Sequence, residues 1–123
     1  MTSSRRALGD LGERLAAQHL QAKGYRIREK NVRTREGEID IVAEAGDLLV
    51  FVEVRCRRGT AMGTAAESLT AVKQRRLVAL AEAYGQTRPD LPPQRRIDVI
   101  AVDLSPGGRL LSLQHVEDAV WAG

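Results

Sequence analysis

The chain is poor in cysteine, in aromatic residues and in long apolar runs. Cys56 is its single cysteine, so neither a disulfide framework nor a cysteine-based zinc site can form within one chain. Tyr25, Phe51, Tyr84 and Trp121 are the only Phe, Tyr and Trp residues, too few for a platform that stacks the bases of a single strand. No apolar run approaches the roughly 20 residues needed to span a bilayer. Met1-Thr2-Ser3-Ser4-Arg5-Arg6 leads into a charged helical pattern rather than an apolar signal region, so a cytoplasmic location is expected. Internal repeats, low-complexity segments and Ser-His-Asp or Cys-His spacings of any force are absent.

What is present suits one globular domain, 1–123, with a core over about 7–103 and a terminal strand and short helix over 104–123. A chain of 123 residues that is 43% apolar and 28% charged can bury a real core. The net charge of +3, with a pI near 9.5, permits a nucleic-acid partner. Arginine supplies most of the positive charge and suits bidentate phosphate contacts.

The most informative stretch is Gly37-Glu38-Ile39-Asp40-Ile41-Val42-Ala43-Glu44, followed by Leu48-Leu49-Val50-Phe51-Val52-Glu53-Val54-Arg55-Cys56-Arg57. Both halves read as strands with acids set into them. Gly46-Asp47 fits a two-residue hairpin loop with a positive φ at the glycine. That loop sets Ala45 opposite Leu48, Glu44 opposite Leu49, Val42 opposite Phe51 and Asp40 opposite Glu53. Like charges so placed repel, and a proton or a hard divalent cation would neutralise them. Arg55, two residues beyond Glu53, points to the same side. Two acids and a cationic head on one face are the parts of a metal-dependent phosphodiesterase site.

The remaining elements follow from periodicity. Ala7 to Lys23 reads as a helix with Leu8, Leu11, Leu15, Ala16, His19 and Leu20 on one stripe, stopped by Gly24. Glu13 lies at the stripe's border, either reaching over the sheet or simply solvated; His19 reads as a partly buried stripe residue. Tyr25 to Val32 is a strand whose Arg26, Arg28 and Lys30 share one side by alternation. That row either contacts phosphate or guards an edge strand. Arg57 and Arg58 open a basic loop. A second helix starts near Thr70 and runs to about Tyr84, with Leu69, Val72, Leu77, Leu80 and Tyr84 as its stripe and Lys73 and Arg76 inside it. Thr64 to Glu67 resembles a capping box. Arg96 to Asp103, apolar on both sides, is a buried strand, with Asp98 paired to Arg95 or Arg96. A short strand over Arg109 to Gln114 and a small helix over Val116 to Trp121 close the chain, with Trp121 capping the core.

Asp40 followed by Glu53-Val54-Arg55 resembles the PD-(D/E)XK nuclease signature, whose last position is usually Lys. Adding Gly12-Glu13, Asn31, Gly37-Glu38-Ile39-Asp40, Phe51-Val52-Glu53-Val54 and Lys73, the chain is similar from about Gly9 to Val102 to the YraN-like family. These small bacterial proteins are described as predicted endonucleases related to archaeal Holliday-junction resolvases. The resemblance implies an α/β fold with a restriction-endonuclease-like αβββαβ core and a central mixed five-stranded sheet flanked by helices. It implies catalytic roles for Glu13, Asp40, Glu53, Arg55 and Lys73, and Mg²⁺ or Mn²⁺ held by Asp40, Glu53 and Glu13. It also implies nucleic acid as partner, DNA ahead of RNA, and a homodimer if the resolvase analogy holds. Glu38 is read as a supporting acid. Arg55 in place of Lys departs from the pattern, because a guanidinium stays charged where an amine can release its proton. The function expected is metal-dependent phosphodiester hydrolysis of structured or branched DNA. The alternatives are a nuclease-fold nucleic-acid-binding protein that does not cut, and a protein-interaction module.

Overall fold

The computed structural model describes residues 5–59, 61 and 63–120. Helix α1 spans Arg5–Ala22, and strands β1, β2 and β3 span Arg26–Thr34, Gly37–Ala45 and Leu48–Arg58. A one-turn 3-10 helix over Ala66–Ser68 precedes α2, Ala71–Thr87; β4, Gln94–Leu104, and β5, Leu110–Val116, follow. The five strands form one mixed sheet in the order β1-β2-β3-β4-β5. β3 and β4 are its parallel pair, joined through α2; the other neighbours are antiparallel. This is the α-β-β-β-α-β order of the restriction-endonuclease-like core, extended by β5.

The sheet is apolar on both faces because each is covered by a helix. In β3, Val50 and Val52 join Leu20 of α1, whereas Leu49 and Phe51 join Leu77, Leu80 and Tyr84 of α2. Such a strand reads as a continuous apolar run. Gly24 closes α1 at φ 92°. Thr70 caps α2, its hydroxyl accepting from the Lys73 amide at 3.3 Å. The Thr64–Glu67 capping box also forms, around the 3-10 turn: Thr64 N donates to Glu67 Oε1 at 2.8 Å and Glu67 N to Thr64 Oγ1 at 3.3 Å.

The hairpin has the expected register, with Ala45 opposite Leu48, Glu44 opposite Leu49 and Val42 opposite Phe51 around Gly46 at φ 61°. The β2–β3 ladder, however, ends at Ile41–Val52, one pair short of Asp40–Glu53. Beyond that point β2 stays with β1, from the Val32–Ile39 pair to Thr34–Gly37. Ile39 enters the α2-side core and Ile41 the α1-side core, although residues two apart in a strand normally share a face. The strand therefore rotates at Asp40, opposite Asn31, which adopts φ 54°. The sheet forks there, and Asp40 sits in the fork.

Three expectations need correction. Arg26, Arg28 and Lys30 do not form one row: a bulge between Ile27 and Glu29 adds a residue to β1, shifting the alternation so that Lys30 leaves the side that Arg26 and Arg28 share. Val72 is 56% exposed rather than part of the α2 stripe, and α2 runs one turn past Tyr84. Over the described part of 116–121 there is no helix. Val116 pairs with Val99, Asp118 takes φ 53°, and Ala119 N donates to Ile97 O at 2.8 Å, bonds that commit the segment to strand and turn. Trp121 lies outside the described residues.

Candidate active site

The fork brings Asp40 and Glu53 together by side chain rather than by strand pairing. Asp40 Oδ2 accepts from the Val54 amide at 2.8 Å, filling the bond the ladder leaves open. Its carboxyl is near enough to Glu53 for a hydrogen bond between the two acids. Burial, with the Glu53 charge next, pushes Asp40 up to about 8, and the Val54 amide only partly offsets this. Asp40 therefore carries a proton through most of the neutral range when nothing else neutralises the pair.

Glu13 reaches the same region from α1. Gly12 makes this approach feasible, because a Cβ there would lie 2.8 Å from the Cys56 Cβ; the helix rests directly on β3. Asn31, with its amide nitrogen turned toward the acids, donates to Glu13 Oε1 at 2.7 Å and to Glu38 Oε1 at 2.9 Å. Burial and then the Glu38 and Asp10 charges raise Glu13, against the lowering effects of Lys30 and Asn31. Asn31 thus ties Glu13 to Glu38. Among the described residues no three His, Cys, Asp or Glu side chains converge tightly enough to hold a metal by themselves, so the compact acid pair is Asp40 and Glu53.

The cationic side is equally well fixed. Arg55 Nη1 lies 3.3 Å from Glu53 Oε2, and Arg55 Nε donates to Ser68 Oγ at 2.7 Å. Ser68 is buried in the 3-10 turn, which is anchored to β4 where Asp103 Oδ1 accepts from Ala65 N at 2.8 Å. Lys73 Nζ donates to the Ser68 carbonyl at 3.4 Å. One turn therefore holds both basic heads. A cleft of about 640 Å³ lies over these groups, lined by Glu13, Asp40, Arg55, Arg57, Arg58 and Lys73 among others. A neighbouring hollow of about 140 Å³ shares Arg55 and Lys73 and adds Glu38, Glu53 and Arg76.

All five residues proposed from sequence as catalytic thus border one site, and Arg57 and Arg58 line its mouth. Arg26 and Arg28 do not join them: both bond Glu44 Oε2 at 2.8 Å. Lys30 instead contributes to the field at Glu13. Asp98, fully buried, is paired with Arg96 as expected, at 2.7 and 2.8 Å, and also with His115 at 2.8 Å. His19 packs edge-on against His115, 5.3 Å between ring centroids, away from the acid pair. Ser68 has no sequence signal, because its contact with Arg55 arises from how the turn returns over the sheet. Asn31 is visible only through the resemblance.

A sequence model described as "Uncharacterised protein family UPF0102" matches residues 12–102, a span containing Glu13, Asp40, Glu53, Arg55 and Lys73. A UPF0102 protein of Symbiobacterium thermophilum is 51% identical over 105 residues, covering 85% of this chain and 89% of that protein. UPF0102 proteins of Roseiflexus castenholzii and Chloroflexus aurantiacus are 46% and 48% identical over 122 residues, each alignment covering 98% of both chains. The chain belongs to the UPF0102 family.

Proposed function

We propose that this member of the UPF0102 family hydrolyses phosphodiester bonds in DNA, structured or branched DNA foremost, using Mg²⁺ or Mn²⁺. In this reading it is a PD-(D/E)XK nuclease, related to the archaeal Holliday-junction resolvases and working in the cytoplasm. The observation that carries the reading is the Asp40–Glu53 pair, with Asp40 lining a cleft beside Arg55, Lys73, Arg57 and Arg58 and Glu53 lining the adjoining hollow that shares Arg55 and Lys73. Two crowded carboxylates are an oxygen donor set that fits a hard divalent ion, and Mg²⁺ commonly takes one or two carboxylates and keeps several waters. Asp40 and Glu53 would hold it with the main-chain carbonyl of Val54, and Glu13 would add a carboxylate through water. The bound ion would supply Lewis acidity and a water of lowered pKa. Arg57 and Arg58 hold the phosphate backbone at the mouth of the cleft. Arg55, fixed by Ser68, stabilises charge developing on the phosphate, and Lys73 supplies the ammonium that the third motif position lacks.

Arg55 in place of Lys favours a second reading, a nuclease-fold protein that binds DNA without cutting it. A screen separates the two: linear, nicked, flap and four-way DNA are incubated with Mg²⁺ or Mn²⁺ and the wild type, Glu53→Gln, Lys73→Met or Arg55→Lys. The hydrolytic reading expects metal-dependent cleavage that Glu53→Gln abolishes, Lys73→Met lowers and Arg55→Lys raises. Salt-dependent binding to all four DNAs with no cleavage by any variant would select the binding-only reading.

A further inference from the structure

We propose that the hollow beside the cleft is a phosphate subsite, in which Arg76 binds the DNA phosphate next to the one held by Lys73 and Arg55. This subsite rests on the reading of the chain as a nuclease-fold protein that binds DNA along the cleft, and it gives the bound strand a path. The cleft and the hollow meet at Arg55 and Lys73, which line both. From that pair the cleft continues to Arg57 and Arg58, and the hollow to Arg76, Leu77 and Leu80. A strand laid across the site thus meets cations on both sides of the phosphate at its centre. The hollow, at about 140 Å³, is well below the roughly 300 Å³ at which pockets for drug-sized ligands begin. It suits a phosphate group rather than a whole nucleotide.

Arg76 is held by its stem and left open at its head. It follows Lys73 by three residues in α2, so both side chains leave the same side of the helix, with about 5–6 Å between their Cβ atoms. That interval is close to the spacing of successive phosphates on one strand. Gly37, at the start of β2, makes room for the stem: a Cβ there would lie 3.3 Å from Arg76 Cδ and 3.8 Å from Leu80 Cδ1. The alkyl part of Arg76 therefore lies against the strand, although the residue as a whole is exposed. The two acids of the hollow are already engaged. Glu38 meets Arg33 at 3.4 Å and Asn31 at 2.9 Å, and Glu53 meets Arg55 at 3.3 Å. Among the described residues none hydrogen-bonds or pairs with the Arg76 guanidinium. A guanidinium with its donors unused, at a hollow of phosphate size, is matched to the oxygens of a phosphodiester. Arg75, also exposed, is the contrast, since it lines neither the cleft nor the hollow.

The test is a set of fluorescence anisotropy titrations of the full chain, without divalent ions, on flap DNA. One phosphate at a time around the branch point is replaced by an uncharged methylphosphonate. Wild type, Lys73→Met, Arg76→Leu, Arg76→Gln and Arg75→Leu are compared, with thermal melts to check folding. In the wild type, neutralising a contacted phosphate should weaken binding by about fivefold. A variant that lacks the contacting side chain should lose that penalty at that phosphate alone, the mark of direct coupling. A merely structural change would lower affinity at every position alike. The expected pattern is that Lys73→Met erases the penalty at one phosphate, both Arg76 variants erase it at the phosphate next to that one, and Arg75→Leu erases it nowhere. Arg76 variants that erase no penalty, or only the one that Lys73→Met erases, overturn the subsite while DNA binding stands. So does Lys73→Met leaving every penalty in place, because the neighbouring phosphate is defined from Lys73. The expected pattern in a protein that cuts no DNA would support the subsite and count against hydrolysis alone. A wild type that binds no flap DNA at low salt overturns both the subsite and the reading beneath it.

Discussion

At the residue scale, the acid pair is a source of instability that the fold tolerates. Asp40 is raised from 3.8 to about 8 by burial and by Glu53, so the folded chain keeps a proton that the unfolded chain releases. Its contribution to stability is fully present below about pH 4 and is lost as pH rises toward 8. Asp40→Asn removes this dependence, while its amide oxygen can still accept from Val54. In urea melts without divalent ions the variant should match the wild type near pH 4 and exceed it at pH 8. An equal margin at both pH values would mean that Asp40 is not the titrating group. Asp40 and Glu53 are legible in the sequence as acids set into the two apolar strands of one hairpin, but the way they meet is not, because the ladder ends at Ile41–Val52 and the two come together by side chain. The partners of Arg55 are not, because Ser68 meets it through a tertiary contact that no local pattern encodes.

At the scale of elements, the placement of the site depends on how closely α1 approaches β3. Gly12 leaves no room for a methyl group against Cys56, whereas nothing lies within 4 Å of a Cβ built on Gly9, one turn earlier in the helix. Gly12→Ala should therefore cost about 1–3 kcal/mol through overpacking and move Glu13 off the cleft. Gly9→Ala should gain up to about 1 kcal/mol from helix propensity. Thermal melts of the two variants measure the difference, and equal shifts would show that the helix is not seated as described. The elements themselves are readable, since apolar periodicity gives both helices and the buried strands. The failures occur where one residue breaks the period. The β1 bulge displaces Lys30 from its neighbours, and the rotation at Asp40 opens the fork; neither leaves a periodic trace. The end of the chain reads locally as helix, but bonds from 118 and 119 back to Asp98 and Ile97 override that weak preference.

At the scale of the whole molecule, a net charge of +3 is modest, so DNA affinity should depend on where the arginines lie rather than on their number. Arg57 and Arg58 line the cleft, whereas Arg26 and Arg28 are engaged with Glu44. In fluorescence anisotropy titrations, Arg57→Glu with Arg58→Glu should weaken binding to every DNA sequence alike and flatten the salt dependence. Arg26→Glu should have a much smaller effect, and equal losses from the two faces would remove the cleft as the docking surface. The claim on which the account turns is that Asp40 and Glu53 form a cation site. Its most direct test is calorimetric titration of Mn²⁺ into the wild type and into Glu53→Gln, near pH 6 and near pH 8, in buffers of different ionisation enthalpy. The account predicts one Mn²⁺ per chain, tighter at pH 8 than at pH 6, with proton release at pH 6 because Asp40 must give up its proton, and no binding in a folded Glu53→Gln variant. Absence of Mn²⁺ binding to the wild type at both pH values, or binding that survives Glu53→Gln unchanged, would contradict it.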